Sequence, residues 1–227
     1  MTGTALKLIA VISMLIDHTG DVLFPGTMWL RYIGRLAFPI YCFLLVEGFF
    51  HTKDLRRYMF RLLLFGLISE IPFDLAFYET LFTPDHQNVF WTLLFGLMAI
   101  SLMNMVRFDN IYLRTAAQML IAIPFGAAAQ LIHSDYRWIG VGLIASMYLF
   151  HGFEILKIGT GAVLLLPVFT NSIEYFGLLS YLPMHYYNGR LGIKRGLPGT
   201  ILKWCFYAFY PAHLLILALI RDRLWIY

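Results

Sequence analysis

Residues 13 to 24 read "SMLIDHTGDVLF" and follow the apolar run "LKLIAVI", so a stretch apolar enough to enter a bilayer carries Asp17, His18 and Asp21. His18 has the widest chemical use, because a neutral imidazole can take a proton from an amine or hydroxyl and later return it. Asp17 is adjacent and on a straight helix points about 100° away from the imidazole. Asp21 lies three residues on and shares its face, so it is a candidate to orient the ring. Glu70 and Asp74 in "LISEIPFDL" are the alternative partners, and the sequence does not choose among them.

Matching charges recur nearby. Arg31 and Arg35 are four apart and share a helical face, and Glu47 lies farther along the same apolar stretch. Each ionisable group at the centre of a spanning helix costs about 2.5–3.5 kcal/mol on insertion scales, so such groups are paired or functional. A purely architectural reading has Arg35 pairing with Asp17 or Glu70 to hold three helices in register. Three acids, two arginines and a histidine at one depth are more than register needs, and point to a polar pocket. A second stripe lies in "LKWCFYAFYPAHLLIL", where Lys203, Tyr207, Tyr210 and His213 recur at i, i+4, i+7 and i+10, along one face. Pro211 predicts a kink there that frees backbone carbonyls near Tyr207. Architecturally, Lys203 would snorkel and the tyrosines would be interfacial, but Tyr210 and His213 lie too deep for that belt.

The elements that must position these groups follow from composition. The 227 residues are 60% hydrophobic and 13% charged, with a mean hydropathy of +0.71. Ordinary soluble domains are about half apolar and about a quarter charged. The excess runs along the whole chain, which predicts an all-α, polytopic transmembrane helix bundle of about nine helices with short loops, formed by one domain over 1–227. Spans of roughly 20 apolar residues fall near 4–24, 28–50, 55–77, 88–106, 112–132, 136–151, 154–170, 173–187 and 199–220. The sixth to eighth are short. The first is read as a retained helix, because its n-region holds only Lys7 and no small-residue cleavage site follows.

Alternate loops are basic: Lys53, Arg56 and Arg57, then Arg107 and Arg114, then Arg190, Lys194 and Arg195. The positive-inside rule places these loops and the N-terminus in the cytoplasm, and leaves the C-terminal "RDRLWIY" outside as a mild violation. The net charge of +4 is modest, so no nucleic acid is implied. Cys42 and Cys205 sit in apolar stretches, and no CxxC or metal-type spacing is present. Walker, GxGxxG, GxSxG and HExxH motifs are absent, so a nucleotide-hydrolysing, Rossmann or zinc enzyme has no support in the sequence. Asn88 is a candidate cap for the fourth span, and "YYNGRLG" is turn chemistry with Arg190 placed to hold a phosphate.

The segments "LKLIAVISMLIDHTGD", "YIGRLAFPIYCFLLVEGFFHTKDLRRYMFRLLLFGLISEIPFDLAFY", "NVFWTLLFGL" and "FYAFYPAHLLIL" stand in an order and over a length that resemble the TraX family. Its eponymous member N-acetylates F-pilin, and the family is similar to larger membrane acyltransferases that carry acetyl groups from cytoplasmic acetyl-CoA to acceptors at or beyond the membrane. The family's Asp-His pair falls on Asp17 and His18. Its Gly-Arg-Leu-Ala-Phe-Pro motif falls on Gly34 through Pro39, and its Glu-Gly on Glu47 and Gly48. Its Ser-Glu-Ile-Pro-Phe-Asp motif falls on Ser69 through Asp74, and Phe-Tyr-x-x-Tyr-Pro-x-His on Phe206 through His213.

The resemblance implies an acetyl-CoA-dependent acetyltransferase of the bacterial cytoplasmic membrane, acyltransferase-like in fold. His18 would be the base, with Asp17 or Asp21 stabilising the imidazolium. Arg35 or a tyrosine such as Tyr210 would face the oxyanion, Arg35 being balanced by Glu70 in the alternative, and Glu70, Asp74 and His213 complete the polar set. Lys53, Arg57, Arg61, Arg190, Lys194, Lys203 and Tyr207 are candidates to hold acetyl-CoA. The acceptor stays open among a peptide amine, a glycan hydroxyl and a small molecule, and a homo-oligomer is compatible with the sequence. The rival is a small proton-coupled transporter using the same intramembrane charges, although no repeated half of the kind common in transporters is visible.

Overall fold

Apolar periodicity and caps set most helix limits. The computed structural model describes residues 1–166, 172–190, 192–193 and 196–224; Lys194, Arg195 and part of the seventh expected span lie outside them. Helix α1 runs Gly3–Val22, capped by the Thr2 hydroxyl, which accepts from the Ala5 N–H at 3.3 Å. Helix α4 (Leu55–Tyr78) starts at Asp54, whose carboxylate accepts from the Arg57 N–H at 3.0 Å. Helix α5 (Val89–Met103) starts at Asn88, as its residue type predicts, with Phe90 N–H donating at 3.0 Å. Helices α6 (Ile111–Leu131), α7 (Arg137–Leu149) and α10 (Gly196–Leu224) fall close to their expected spans, and α10 runs through Pro211 without interruption.

Two expectations change. The second span is two helices, α2 (Met28–Gly34) and α3 (Ala37–His51), broken at Arg35 and Leu36. Pro39 explains the break: it has no N–H for the Arg35 carbonyl and its ring crowds that carbonyl. The expected span 173–187 is a 3₁₀ segment (Ser172–Ser180) followed by the five-residue α9 (Tyr181–His185), not a spanning α-helix. The preceding α8 (Glu154–Leu164) has 11 residues, about 17 Å of helix, which is little more than half of a hydrocarbon core of about 30 Å. The described residues hold helices and no strand, with one isolated bridge between Gln87 and Ser134.

Helices α3, α5 and α7 form the middle of the bundle, with Ile40, Leu97, Ile100, Leu143 and Ile144 fully enclosed. Close approach depends on small residues. A Cβ at Gly34 would lie 2.1 Å from the Asp17 Cβ, and one at Gly140 would lie 2.4 Å from Thr92 Cγ2. The outer helices turn Leu8, Ile12, Phe60, Leu67, Leu120 and Ile123 outward. Three stretches, Met28–His51, Ile111–Leu131 and Gly196–Leu224, are long and apolar enough to cross a membrane, and α1 and α4, of 20 and 24 residues, are long enough to span as well. An apolar belt around helices of this length is what a bilayer covers, and the chain is a membrane protein.

The helices alternate in direction. The Asn188 N–H donates to the Met1 carbonyl at 3.0 Å, Tyr148 reaches Asn104 at 3.0 Å and His151 meets Glu47 at 2.6 Å. One end therefore gathers the N-terminus and the loops bearing Lys53, Arg57, Arg107 and Arg190. At the opposite end Arg221 donates to the Ala76 and Leu75 carbonyls at 2.9 and 3.0 Å, closing the end of α4.

Candidate functional site

Helices α1 and α10 bring His18 and His213 together. His18 Nδ1 and His213 Nε2 are 2.7 Å apart, and His213 Nδ1 lies 2.7 Å from the Phe209 carbonyl one turn earlier in α10. A carbonyl only accepts, so His213 Nδ1 carries the hydrogen. With both rings neutral, His213 Nε2 then has a lone pair, and it accepts from His18 Nδ1–H. The chain of bonds leaves the lone pair of His18 on Nε2. Phe77 and Tyr210 stand edge-on to the His18 ring at 5.2 and 6.0 Å between centroids and hold it in place. His213 is 4% exposed, and its two ring nitrogens face His18 and the Phe209 carbonyl.

The acids near His18 do something else. Asp17 forms a buried ion pair with Arg35, and Arg31 lies 3.5 Å from Asp17 and 2.7 Å from Asp21. Arg35 also donates to Glu174 at 2.5 Å and toward the Tyr136 hydroxyl at 3.4 Å. Arg31 on α2 and Arg35 just past its end thus face α1, as their spacing requires, and Arg35 ties it to the 3₁₀ segment. Neither Asp17 nor Asp21 contacts the imidazole; the ring that orients His18 is His213. Arg35 is balanced by Asp17 and Glu174 rather than by Glu70. Glu70 instead accepts from Asn88 Nδ2 at 2.6 Å and Trp91 Nε1 at 2.5 Å, fastening the start of α5. Asp74 accepts from the Thr83 N–H at 2.8 Å and holds the loop after α4. Glu70 and Asp74 are on α4 as expected but do not line the cavity that His18 faces.

That cavity has a volume of about 770 Å³ and is lined by Asp17, His18, Arg31, Arg35, Tyr41 and Tyr210 among others. It runs to Pro25, Glu79 and Arg221 at the end opposite the basic loops. A second cavity of about 550 Å³ contains His86, Gln130, His133 and Glu174. The two share Phe73, Tyr78, Asp135 and Tyr136 as a common wall. The loop "HSDYR" that supplies this wall is firmly mounted. Asp135 N–H donates to the Gln87 carbonyl at 2.8 Å, Ser134 and Thr92 hydroxyls meet at 2.8 Å, and the Tyr136 ring stacks on Phe38 at 3.6 Å. His133, Tyr136 and Arg137 adopt φ of 52°, 61° and 45°, a region that costs non-glycine residues energy. Asp135 is exposed to the cavity space; the protein packed around that space pushes its carboxyl up to about 7 by partial desolvation, against the pull of Arg35 and with help from Glu174 and Asp17. Sequence reading missed Asp135, Tyr136, Glu174 and Tyr41: three of them sit in or beside irregular segments, where no helical period marks a face.

The candidates for cofactor binding lie toward the other end. Arg61 stands over the Tyr58 and Tyr207 rings at 5.5 and 5.9 Å, and Lys203 over Trp204 at 5.3 Å. Arg57 is exposed and pairs with Asp54 at 2.8 Å, while Lys53 and Arg190 are exposed. Tyr207 stacks on Phe65 at 5.2 Å, and Tyr210 meets Phe90 edge-on at 5.3 Å, so an aromatic seam on α10 runs from Arg61 toward His213. None of these cations lines the His18 cavity.

A helical membrane bundle with a buried histidine pair, an arginine–carboxylate lattice and a cavity at one end is the class that fold and site define. The chain belongs to the TraX family: the family described as "TraX protein" matches residues 2–221. It is 31% identical over 240 residues to the probable fimbrial assembly protein FimC, serogroup H1, of Dichelobacter nodosus, covering 93% of this chain and 92% of that one. It is also 36% identical over 78 residues to the uncharacterized protein RP591 of Rickettsia prowazekii (strain Madrid E), which covers 34% of this chain and 29% of that protein. No solved structure matches the chain.

Proposed function

We propose that this protein is a membrane acetyltransferase that moves an acetyl group from acetyl-CoA to an amine or hydroxyl acceptor, with His18 as general base. The observation that carries the reading is the bonding sequence from the Phe209 carbonyl through His213 to His18, which leaves Nε2 of His18 free to accept a proton. In the step, the acceptor nitrogen or oxygen bonds to the thioester carbonyl carbon while His18 Nε2 takes its proton. The tetrahedral intermediate collapses, the C–S bond breaks, and the imidazolium returns the proton to the CoA sulfur. General-base assistance of this kind is worth about 10²–10⁴-fold. Arg35 lines the cavity and has a buried Nε–H with no hydrogen-bond partner among the described residues, which supports it as a donor to the oxyanion.

The basic end is taken as cytoplasmic, on the positive-inside rule. The nucleotide phosphates would rest on cations among Lys53, Arg57, Arg61, Arg190 and Lys203, with Lys194 outside the described residues. From Lys203 to His213 is ten residues of helix, about 15 Å, or about half of a 30 Å hydrocarbon core. An extended pantetheine arm is long enough for that span, along the aromatic seam of Tyr207 and Tyr210. The acceptor would enter from the opposite end. The family's link to pilin and the naming of the Dichelobacter nodosus relative as a probable fimbrial assembly protein favour a pilus subunit as that acceptor.

The test uses the full-length protein in detergent. Saturating acetyl-CoA should raise its unfolding temperature, since a ligand that binds the folded state stabilises it, by about 2.7 kcal/mol at a hundred times Kd. His18→Gln should keep that shift and lose acetyl transfer by about 10²-fold or more. No shift with the wild type would favour the transporter, and full transfer by His18→Gln would remove His18 as the base.

A further inference from the structure

The carboxylates around the two cavities differ in one respect. Asp17 and Glu174 touch Arg35, Asp21 touches Arg31, and Glu79 and Asp222 lie 3.6 and 2.9 Å from Arg221. Asp135 lines both cavities, and no guanidinium or ammonium of the described residues lies within 4.0 Å of it. The backbone N–H of Tyr136, the next residue, favours its charged form. The charged and titratable groups that surround it come from every neighbouring element: Asp17 on α1, Arg35 beside α2, Tyr78 on α4, Glu174 on the 3₁₀ segment and Tyr210 on α10. The backbone that presents it is strained and bonded to both flanks, and strain held in this way concentrates at functional sites. An anion kept unpaired among paired ones is placed for a cation that arrives from outside.

This matters for the proposed transfer, on which the inference rests. At neutral pH an acceptor amine is largely an ammonium ion, which has no lone pair and cannot attack a thioester. Two protons must leave it, and His18 can take one per turnover. We infer that Asp135 binds the acceptor's ammonium group and takes its first proton, leaving the second to His18. The exchange balances: R–NH₃⁺ and the Asp135 carboxylate become R–NH₂ and a carboxylic acid, with no other bond broken. The neutral amine then bonds to the thioester carbon as His18 Nε2 removes a proton, the C–S bond breaks, and CoA leaves as the thiol. Asp135 gives its proton to water through the open end of the cavity before the next ammonium binds. Its place at the cavity wall, beside Glu174 and Asp17, brings its affinity for a proton within about one unit of that of a free α-amine, whose pKa is about 7.7–8.0, so the exchange runs nearly level.

Two acceptors of one shape decide the matter: a short peptide with a free N-terminal glycine, and the same peptide with a glycolyl group in its place, whose hydroxyl has only one proton to lose. Asp135→Asn should lower transfer to the amine peptide about tenfold near pH 7. Its rate should recover as the pH passes that of the free amine, with transfer to the glycolyl peptide changed less than twofold. Asp135→Glu, which keeps the carboxylate, should retain most of the amine activity. A structural role would depress both acceptors together at every pH, and that result overturns the inference, as does a variant that matches the wild type on the amine. If the glycolyl peptide accepts no acetyl group, the pH profiles decide: parallel profiles of wild type and Asp135→Asn overturn the assignment. A wild type that shows neither acetyl transfer nor an acetyl-CoA shift removes the proposed function and the role of Asp135 with it, whereas failure of Asp135 alone leaves transfer by His18 standing.

Discussion

His18 and His213 each stand out in the sequence as an imidazole in an apolar helix, but their roles depend on a bond between residues 195 positions apart. Of the acids offered as partners for His18, Asp17 and Asp21 are engaged with arginines, and Glu70 and Asp74 with groups at the start of α5 and in the loop after α4, so the orienting group is a second imidazole anchored on a backbone carbonyl. This predicts a graded series at 213. His213→Phe keeps the ring volume and removes the acceptor, so kcat should fall about 10²-fold as His18 loses its fixed tautomer, while KM for acetyl-CoA stays constant; loss of the right tautomer is far costlier still in the serine triad. His213→Gln retains an acceptor oxygen and should recover part of that loss. Equal activity of the Phe and Gln variants, measured as kcat in the same preparation, would show that the ring is only packing.

At the scale of elements, Gly34 and Pro39 do related work. Pro39 ends the helical run at Arg35, and Gly34 lets α2 lie against α1 where Asp17 meets Arg35. Adding a methyl group at Gly34 brings a carbon to 2.1 Å from the Asp17 Cβ, and overpacking of this kind costs typically about 1–3 kcal/mol. Gly34→Ala should therefore lower the unfolding temperature in detergent and the transfer rate together. Gly159→Ala in α8 is the control: nothing lies within 4 Å of its added carbon, and it should leave both unchanged or raise stability slightly through helix propensity. The Gly34–Pro39 stretch was visible in the sequence as a motif, but its purpose was not. Pro39 could be read as a helix-limiting residue, whereas the closeness of Gly34 to Asp17 requires both helices in place. The same holds for the loop 133–136. Its residues have no period to reveal a buried face, and their bearing on the cavity arises from the bonds to Gln87 and Thr92 on another segment.

Across the whole molecule, the basic loops lie at one end and the His18 cavity opens at the other. A donor held by phosphates at the first end and an acceptor entering at the second would meet near His18, with α10 spanning the distance. Arg61→Ala and Lys203→Ala should each raise KM for acetyl-CoA several-fold and make it less sensitive to salt, with kcat nearly unchanged, because screening weakens contacts between charges at an aqueous end. Steady-state kinetics at two ionic strengths measure this, and an unchanged KM in both variants would remove the basic end as the donor site.

The sequence alone determined the class of the protein, because hydropathy, charge spacing and caps are local properties that a bilayer and a helix read residue by residue. It also singled out the ionisable residues of the long apolar helices, since their cost there is visible without coordinates, but not Asp135 and Glu174 in irregular segments. The choice of partners was decided only by the tertiary structure. Which arginine balances Asp17, which ring orients His18, and why Asp135 alone among the cavity acids meets no guanidinium of the described residues follow from how helices cross and where loops fold back. Those distances vary with packing over the whole chain, and no short stretch of residues contains them.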